Sequence, residues 1–142
     1  MIKYSVLRVK KGSFQNIKNE NNISEIVEYL LENNNIRKKY KQLYISIKSF
    51  IHSILLFLYE EYKDDLNPAT FMELLRSSSI DKETLLRLDN ESISTLDIIF
   101  MELEKEKGET ASLKEYKRYK NDSENKFLYF QDWIKNCYIL LE

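Results

Sequence analysis

The segment I-R-K-K-Y-K-Q-L-Y-I-S-I-K-S-F-I-H-S-I-L-L-F-L-Y-E-E-Y, Ile36–Tyr62, decides the fold. Its apolar residues recur every three or four positions, which is typical of one face of an α-helix. The stripe consists of Ile36, Tyr40, Leu43, Tyr44, Ile47, Phe50, Ile51, Ile54, Leu55, Leu58 and Tyr62. The second half is apolar almost all round, which indicates a central helix. We predict one long helix here, with Phe50, Ile54, Leu55 and Leu58 almost fully buried.

Length and composition predict a single all-α domain. The 142 residues are 43% hydrophobic and 32% charged, with two glycines and one proline. Such a chain can bury one core, and its few helix breakers favour helices. We expect an extended lead-in over residues 1–20 and a compact multi-helix bundle around one long central helix over residues 22–141. The longest apolar run has about ten residues, whereas a membrane-spanning helix needs about twenty, and no signal peptide precedes it, so we expect a cytoplasmic protein.

One strand is predicted, at the N-terminus. Ile2, Tyr4 and Val6 alternate with Lys3 and Ser5, which is the period of a β-strand over roughly residues 2–10. The rest of the sequence predicts no second strand. We therefore expect Ile2–Val9 to be mobile, irregular, or paired with another copy of the chain.

Polar residues indicate where the other helices start. Asn22 followed by Glu25 resembles a capping box, and Asn67-Pro68 is a strong helix start. Asp81 can cap a short helical turn that runs to Leu88. Ser94 with Asp97 predicts the start of an acidic helix.

Gly108 is expected to end the acidic helix, and Thr110 to cap a basic helix after it. A last helix is predicted over residues 124–141. Its inward residues would be Phe127, Phe130, Ile134, Cys137, Tyr138 and Leu141.

The sequence contains no motif for catalysis. Gly12 and Gly108 are the only glycines, too few for a phosphate-binding loop. One histidine and one cysteine cannot form a zinc-ligand set. His52 could be a general base, or pair with Cys137, but its apolar neighbours favour a core or boundary histidine. We therefore predict no enzyme activity, no cofactor and no metal site.

Two charged surfaces are the candidate binding sites. Basic residues interleaved with tyrosines can contact phosphates and stack bases. The candidate basic surface comprises Lys114, Lys117, Arg118, Lys120 and Lys126. The candidate acidic surface comprises Asp97, Glu102, Glu104 and Glu106, and it is an equally good protein-docking face. A second basic cluster, Arg37–Lys41, opens the long helix. The net charge of −1 argues against a chain whose whole surface binds nucleic acid.

Four blocks, in order, resemble the all-helical insertion of the coupling ATPases of conjugative type IV secretion. They are F-I-H-S-I-L-L-F-L-Y-E-E (Phe50–Glu61), N-P-A-T-F-M-E-L-L-R-S (Asn67–Ser77), L-D-I-I-F-M-E-L-E (Leu96–Glu104) and S-L-K-E-Y-K-R-Y-K (Ser112–Lys120). Ile2–Val9 would match the strand that leads from the motor into its insertion. N-D-S-E-N-K-F-L-Y-F (Asn121–Phe130) replaces the Gly-containing segment of that family.

The resemblance implies a role in receiving protein cargo on the cytoplasmic side of a secretion machine. The cargo would be a relaxase or another relaxosome component, with weak DNA contact in addition, and an ATPase motor core is implied as a partner. Nucleotide hydrolysis and membrane anchoring do not carry over, because the residues for them are missing here. The alternatives are a nucleic-acid contact module that uses Lys114–Lys126 and a generic helical protein-interaction domain.

Overall fold

A computed structural model of the protein describes residues 5–80, 93–123 and 127–142. Within these ranges the chain forms a helical bundle, as the sequence predicted, and it also contains a short two-stranded sheet that the sequence did not predict. The helices are α1 (Glu20–Asn33), α2 (Ile36–Lys39), α3 (Tyr44–Glu61), α4 (Pro68–Arg76), α5 (Thr95–Lys107), α6 (Ala111–Ser123) and α7 (Phe127–Lys135). The strands are β1 (Ser5–Val9) and β2 (Cys137–Leu141), and short 3₁₀ helices cover Phe14–Asn16 and Lys63–Asp65. No helix in these ranges is long and apolar enough to cross a membrane.

Helix α3 is the centre of the bundle. Phe50, Ile54, Leu55 and Leu58 are all at most 1% exposed, which confirms the predicted burial. The Phe50 ring centroid lies 4.8 Å from that of Tyr119 on α6 and 5.1 Å from that of Phe130 on α7. Helix α6 packs along α3, and α1 and α4 also contact it. Aromatic side chains therefore join three helices at the core.

The predicted long helix over Ile36–Tyr62 is interrupted. Helix α2 ends at Lys39, and a turn precedes the start of α3 at Tyr44. Arg37 and Lys41 would be four residues apart on a continued helix, where like charges repel. The turn also lets Tyr40 lie edge-on against Trp133, with ring centroids 6.4 Å apart. The break therefore coincides with this tertiary contact, and the weak repulsion between Arg37 and Lys41 acts in the same direction.

The predicted helix over residues 124–141 is wrong at its C-terminal end. Helix α7 ends at Lys135, and residues 137–141 form β2, which pairs in parallel with β1. Leu7 lies opposite Ile139 and Val9 opposite Leu141. Cys137 is buried as predicted, but Tyr138 and Leu141 are exposed. The N-terminal strand therefore has a partner within the chain, contrary to our expectation, because a short apolar run fits a strand as well as a helix.

Several predicted helix ends are confirmed. Ser94 and Asp97 form a reciprocal capping box at the start of α5, and Gly108 ends α5 with a positive φ of 72°. Asn67 caps α4, which begins at Pro68. Helix α1 starts earlier than predicted, because Asn19 rather than Asn22 is its cap. The predicted turn from Asp81 to Leu88 lies outside the described residues.

Candidate functional site

The candidate basic surface lies on α6, which is fixed to the core by its inner face. Leu113 and Tyr116 are buried, and the Thr110 side chain accepts a hydrogen bond from the Leu113 N–H. The Glu60 carboxylate, at the end of α3, accepts hydrogen bonds from the backbone N–H and the hydroxyl of Ser112. A carboxylate at a helix N-terminus is favourable, because the helix dipole is positive there. Burial thus fixes which side of α6 faces solvent.

The basic side chains of α6 point outward, as expected. Lys114, Lys117 and Arg118 are exposed, and Lys120 is partly buried. Lys126 lies outside the described residues.

The candidate acidic surface lies on α5, beside α6. Glu102, Glu104 and Glu106 are exposed, whereas Asp97 is largely covered. The two candidate surfaces are neighbours and pair with each other. The Lys117 Nζ lies 2.6 Å from a Glu104 carboxylate oxygen, and the Lys120 Nζ lies 3.1 Å from an Asp97 oxygen.

These ion pairs neutralise much of the positive charge of the candidate basic surface. Within α6, the Arg118 guanidinium also lies 3.1 Å from the Glu115 carboxylate. Of the α6 cations that the structure describes, only Lys114 has no such pair. A phosphate group would have to compete with these carboxylates, so the arrangement disfavours α6 as a nucleic-acid surface.

A buried polar junction joins α5 to α6. The Tyr116 ring stacks on Phe100 at 4.1 Å between centroids, and its hydroxyl donates a hydrogen bond to Asp97. Burial raises the pKa of Asp97, but the bonds from Tyr116 and the Ser94 N–H, with the charge of Lys120, outweigh burial and hold that pKa below its ordinary value. Burial and the Asp97 charge raise the pKa of Tyr116. Asp97 therefore holds α5 and α6 together at the junction.

The outer face of α5 carries two large apolar side chains in solvent. Ile98 is 53% exposed and Met101 is 50% exposed, three positions apart on one face. Glu102 lies one turn beyond Ile98, with a long 3.5 Å contact to Lys105. We define the α5 outer face as Ile98, Met101 and Glu102. The sequence could have predicted this exposure, because Ile98 and Met101 lie off the inward stripe of Leu96, Phe100 and Leu103.

The second basic cluster, on α2 and the turn after it, contains three lysines without an ion pair among the described residues. Lys38, Lys39 and Lys41 are exposed, and none forms an ion pair with a described carboxylate. Tyr129 of α7, which is 71% exposed, lines the same cleft as these three lysines. We call Lys38, Lys39, Lys41 and Tyr129 the α2 surface. The sequence revealed the lysines, but only the packing of α7 reveals Tyr129.

No hydrogen bond joins His52 to Cys137, and the charged groups around the two side chains differ. His52 is half-buried on α3, and the charged groups that act on it are Glu115, Lys48, Arg118 and Glu20. Cys137 lies at the start of β2, where burial raises the pKa of its thiol to about 12. A thiol with that pKa is protonated at neutral pH and is a poor nucleophile. In the described part of the chain, no three His, Cys, Asp or Glu side chains are placed to hold a metal ion.

Comparison of the chain with family models, with curated proteins and with solved structures finds no match in any of the three.

Proposed function

We propose that the chain is a non-catalytic helical module that binds a protein partner through the α5 outer face. The observation that carries this proposal is the exposure of Ile98 and Met101 beside Glu102 on a well-anchored helix. Interface energy is concentrated in a few apolar anchors surrounded by polar residues. The carboxylates of Glu102 and Glu106 complement a partner with basic residues around an apolar pocket.

We further propose that the partner is cargo of a conjugative secretion machine. Support for this step comes from the resemblance of Leu96–Glu104 and Ser112–Lys120 to the helical insertion of the coupling ATPases. The cargo class would then be a relaxase or another relaxosome component. A motor core of that family would be the second partner.

The test compares two double variants in binding to the purified relaxase of the same conjugative element. Ile98→Ser with Met101→Ser removes both apolar anchors, and we expect at least a tenfold loss of affinity, since each buried anchor contributes over about 1 kcal/mol. Lys117→Glu with Arg118→Glu reverses the basic surface and should leave affinity nearly unchanged. Loss of binding in the second variant alone would move the site to α6. No relaxase binding by the wild type would refute the cargo assignment.

A second candidate function is contact with single-stranded nucleic acid through the α2 surface. Three uncompensated lysines beside an exposed tyrosine supply phosphate contacts and a stacking ring, the two elements of sequence-independent binding. The α2 surface is a better candidate for this contact than Lys114–Lys126, because Lys117, Arg118 and Lys120 are paired with carboxylates.

Fluorescence anisotropy with a single-stranded oligonucleotide at several salt concentrations tests this second function. We expect Lys38→Ala with Lys41→Ala to lower the slope of log affinity against log salt by about 1.4, because each lost phosphate contact removes about 0.7. The matched variant Lys117→Ala with Lys120→Ala should keep the wild-type slope. Equal slopes in all three proteins would exclude the α2 surface.

A further inference from the structure

Among the described residues, strand β2 has a hydrogen-bonding edge that no other strand occupies. In a parallel pair, the N–H and C=O of alternate residues point to the same neighbour. The Glu142 N–H donates to the Val9 carbonyl, and the Lys11 N–H donates to the Glu142 carbonyl. The backbone N–H and C=O groups of the even-numbered residues of β2 therefore point towards β1. Cys137, Ile139 and Leu141 direct their backbone groups to the opposite side.

Side chains bond to only part of the outer edge of each strand. On β1, the outward N–H and C=O of Arg8 both bond to the side chain of Asn34. On β2, the outward carbonyl of Cys137 accepts a bond from the Arg76 guanidinium at 3.4 Å. Ile139 and Leu141 have no partner for their outward backbone groups among the described residues. The β1 edge is therefore closed at Arg8, whereas the β2 edge is open at Ile139 and Leu141 within the described part of the chain.

The open edge is also apolar. Leu140 is 42% exposed and Leu141 is 52% exposed, although parallel strands are normally covered on both faces. The sequence Cys137–Leu141 has no charge, glycine or proline to block pairing with another strand. A two-stranded sheet by itself is only marginally stable in water. This edge therefore has the features of a strand-pairing site.

We propose that β2 pairs with β2 of a second copy of the chain, antiparallel and centred on Leu140. In this register Ile139 of each copy lies opposite Leu141 of the other, and both are hydrogen-bonded pairs. Four backbone hydrogen bonds between the copies then satisfy every outward N–H and C=O of Ile139 and Leu141. The Cys137 carbonyl keeps its hydrogen bond from Arg76. The Leu140 side chains of the two copies meet at the two-fold axis. The result is a four-stranded sheet in the order β1, β2, β2, β1.

A second copy is the partner that the edge fits, because the free groups are self-complementary. The two free residues are separated by one position, so an antiparallel copy presents the same pattern in reverse. No charged residue lies between Ile139 and Leu141 to oppose its counterpart. The interface is small, so we expect dimerisation that is reversible and rises with protein concentration. This proposal does not depend on the binding function of α5.

Sedimentation analysis of the full chain tests the dimer, with charged substitutions at Leu140, the residue on the two-fold axis. The wild type should approach twice the 17.1 kDa of one chain as concentration rises. Leu140→Lys and Leu140→Glu should each remain monomeric, because like charges then meet at the axis. An equimolar mixture of the two variants should dimerise again. Ile45→Lys, a charge at an exposed residue of α3, should dimerise like the wild type.

Hydrogen exchange of the backbone amides gives an independent readout. The amides of Ile139 and Leu141 should become protected only on dimerisation, whereas that of Leu140, which faces β1, should be protected in both states. Thermal unfolding of each variant checks that it is folded. A wild type that is monomeric at all attainable concentrations would overturn the proposal. So would a dimer that both Leu140 variants leave intact, or a mixture of folded variants that stays monomeric.

Discussion

Asn34 shows how one side chain can complete a sheet. It is buried at the end of α1, where Asn35 follows with a positive φ of 52°. Its oxygen accepts a bond from the Arg8 N–H at 2.7 Å, and its amide nitrogen donates to the carbonyls of Arg8 and Leu30. At Arg8, the Asn34 side chain thus makes the two hydrogen bonds that a third strand beside β1 would make.

Asn34→Ala should therefore destabilise the protein by about 1–3 kcal/mol, because it removes two hydrogen bonds from partly buried backbone groups of Arg8 and one from the Leu30 carbonyl. Urea unfolding of the variant measures this cost. Asn33→Ala changes the exposed neighbour and should stay within about 0.5 kcal/mol of the wild type. Equal stability of the two variants would show that the bonds to Arg8 contribute nothing.

His52 should make stability depend on pH between about pH 7 and 5.5, where its ordinary titration lies. Burial lowers the pKa of His52 in the folded chain, and nearby Lys48 also lowers it, against the raising effect of Glu115. The unfolded chain then binds the proton more readily, so stability present above about pH 6.5 is lost as pH falls towards the folded pKa.

His52→Gln should remove this dependence, since the sequence has no other histidine. Urea unfolding of both proteins across the window provides the comparison. A wild-type stability that is flat there, or a slope that persists in the variant, would contradict the lowered pKa.

At the element scale, the junction of α5 and α6 depends on a hydrogen bond to a charged group. Tyr116→Phe keeps the ring on Phe100 but removes the donor to Asp97. We expect a loss of about 1.5–3 kcal/mol at neutral pH, the range for bonds to charged groups. Urea unfolding at pH 7 measures it. Tyr129→Phe, at an exposed tyrosine of α7, is the matched control and should be neutral.

The same variant should also change the response to acid. The lowered pKa of Asp97 stabilises the fold above the unfolded value near 3.8, and this contribution is lost as pH falls through the folded pKa. Without the Tyr116 donor the two pKa values lie closer together, so the acid-linked loss should shrink. Parallel unfolding profiles for both proteins below pH 4 would argue against this coupling.

At the scale of the whole molecule, one core extends from β1 to the start of β2. It includes Leu7 and Val9 of β1, the inner faces of the helices, and Cys137. Leu55 lies within it and is fully buried on α3. The central helix therefore contributes a large part of the core that the surrounding helices share.

Leu55→Ala should cost about 2–5 kcal/mol, from lost burial plus the cavity that remains. Thermal or urea unfolding measures the change. Ile45→Ala, at an exposed position of the same helix, should be close to neutral. A melting midpoint for Leu55→Ala equal to that of the wild type would refute the central role of α3.

Sequence alone identified the features that local chemistry controls. Ser94 with Asp97, Asn67 with Pro68, and Gly108 set helix ends through bonds and φ angles within a few residues, so their outcome needed no knowledge of the rest of the fold. The burial of Phe50 and Leu58 followed likewise from periodicity along one helix.

Tertiary structure decided whatever depended on partners distant in sequence. Cys137–Leu141 fits both helical and strand periods, and pairing with β1, over a hundred residues earlier, selected the strand. The break after Lys39 accompanies the contact of Tyr40 with Trp133. The compensation of Lys117 and Lys120 by α5 arose because the bundle places two oppositely charged helices side by side. A periodic pattern predicts which face of a helix or strand is buried. It does not predict which other element packs against that face, because that depends on the folding of the whole chain.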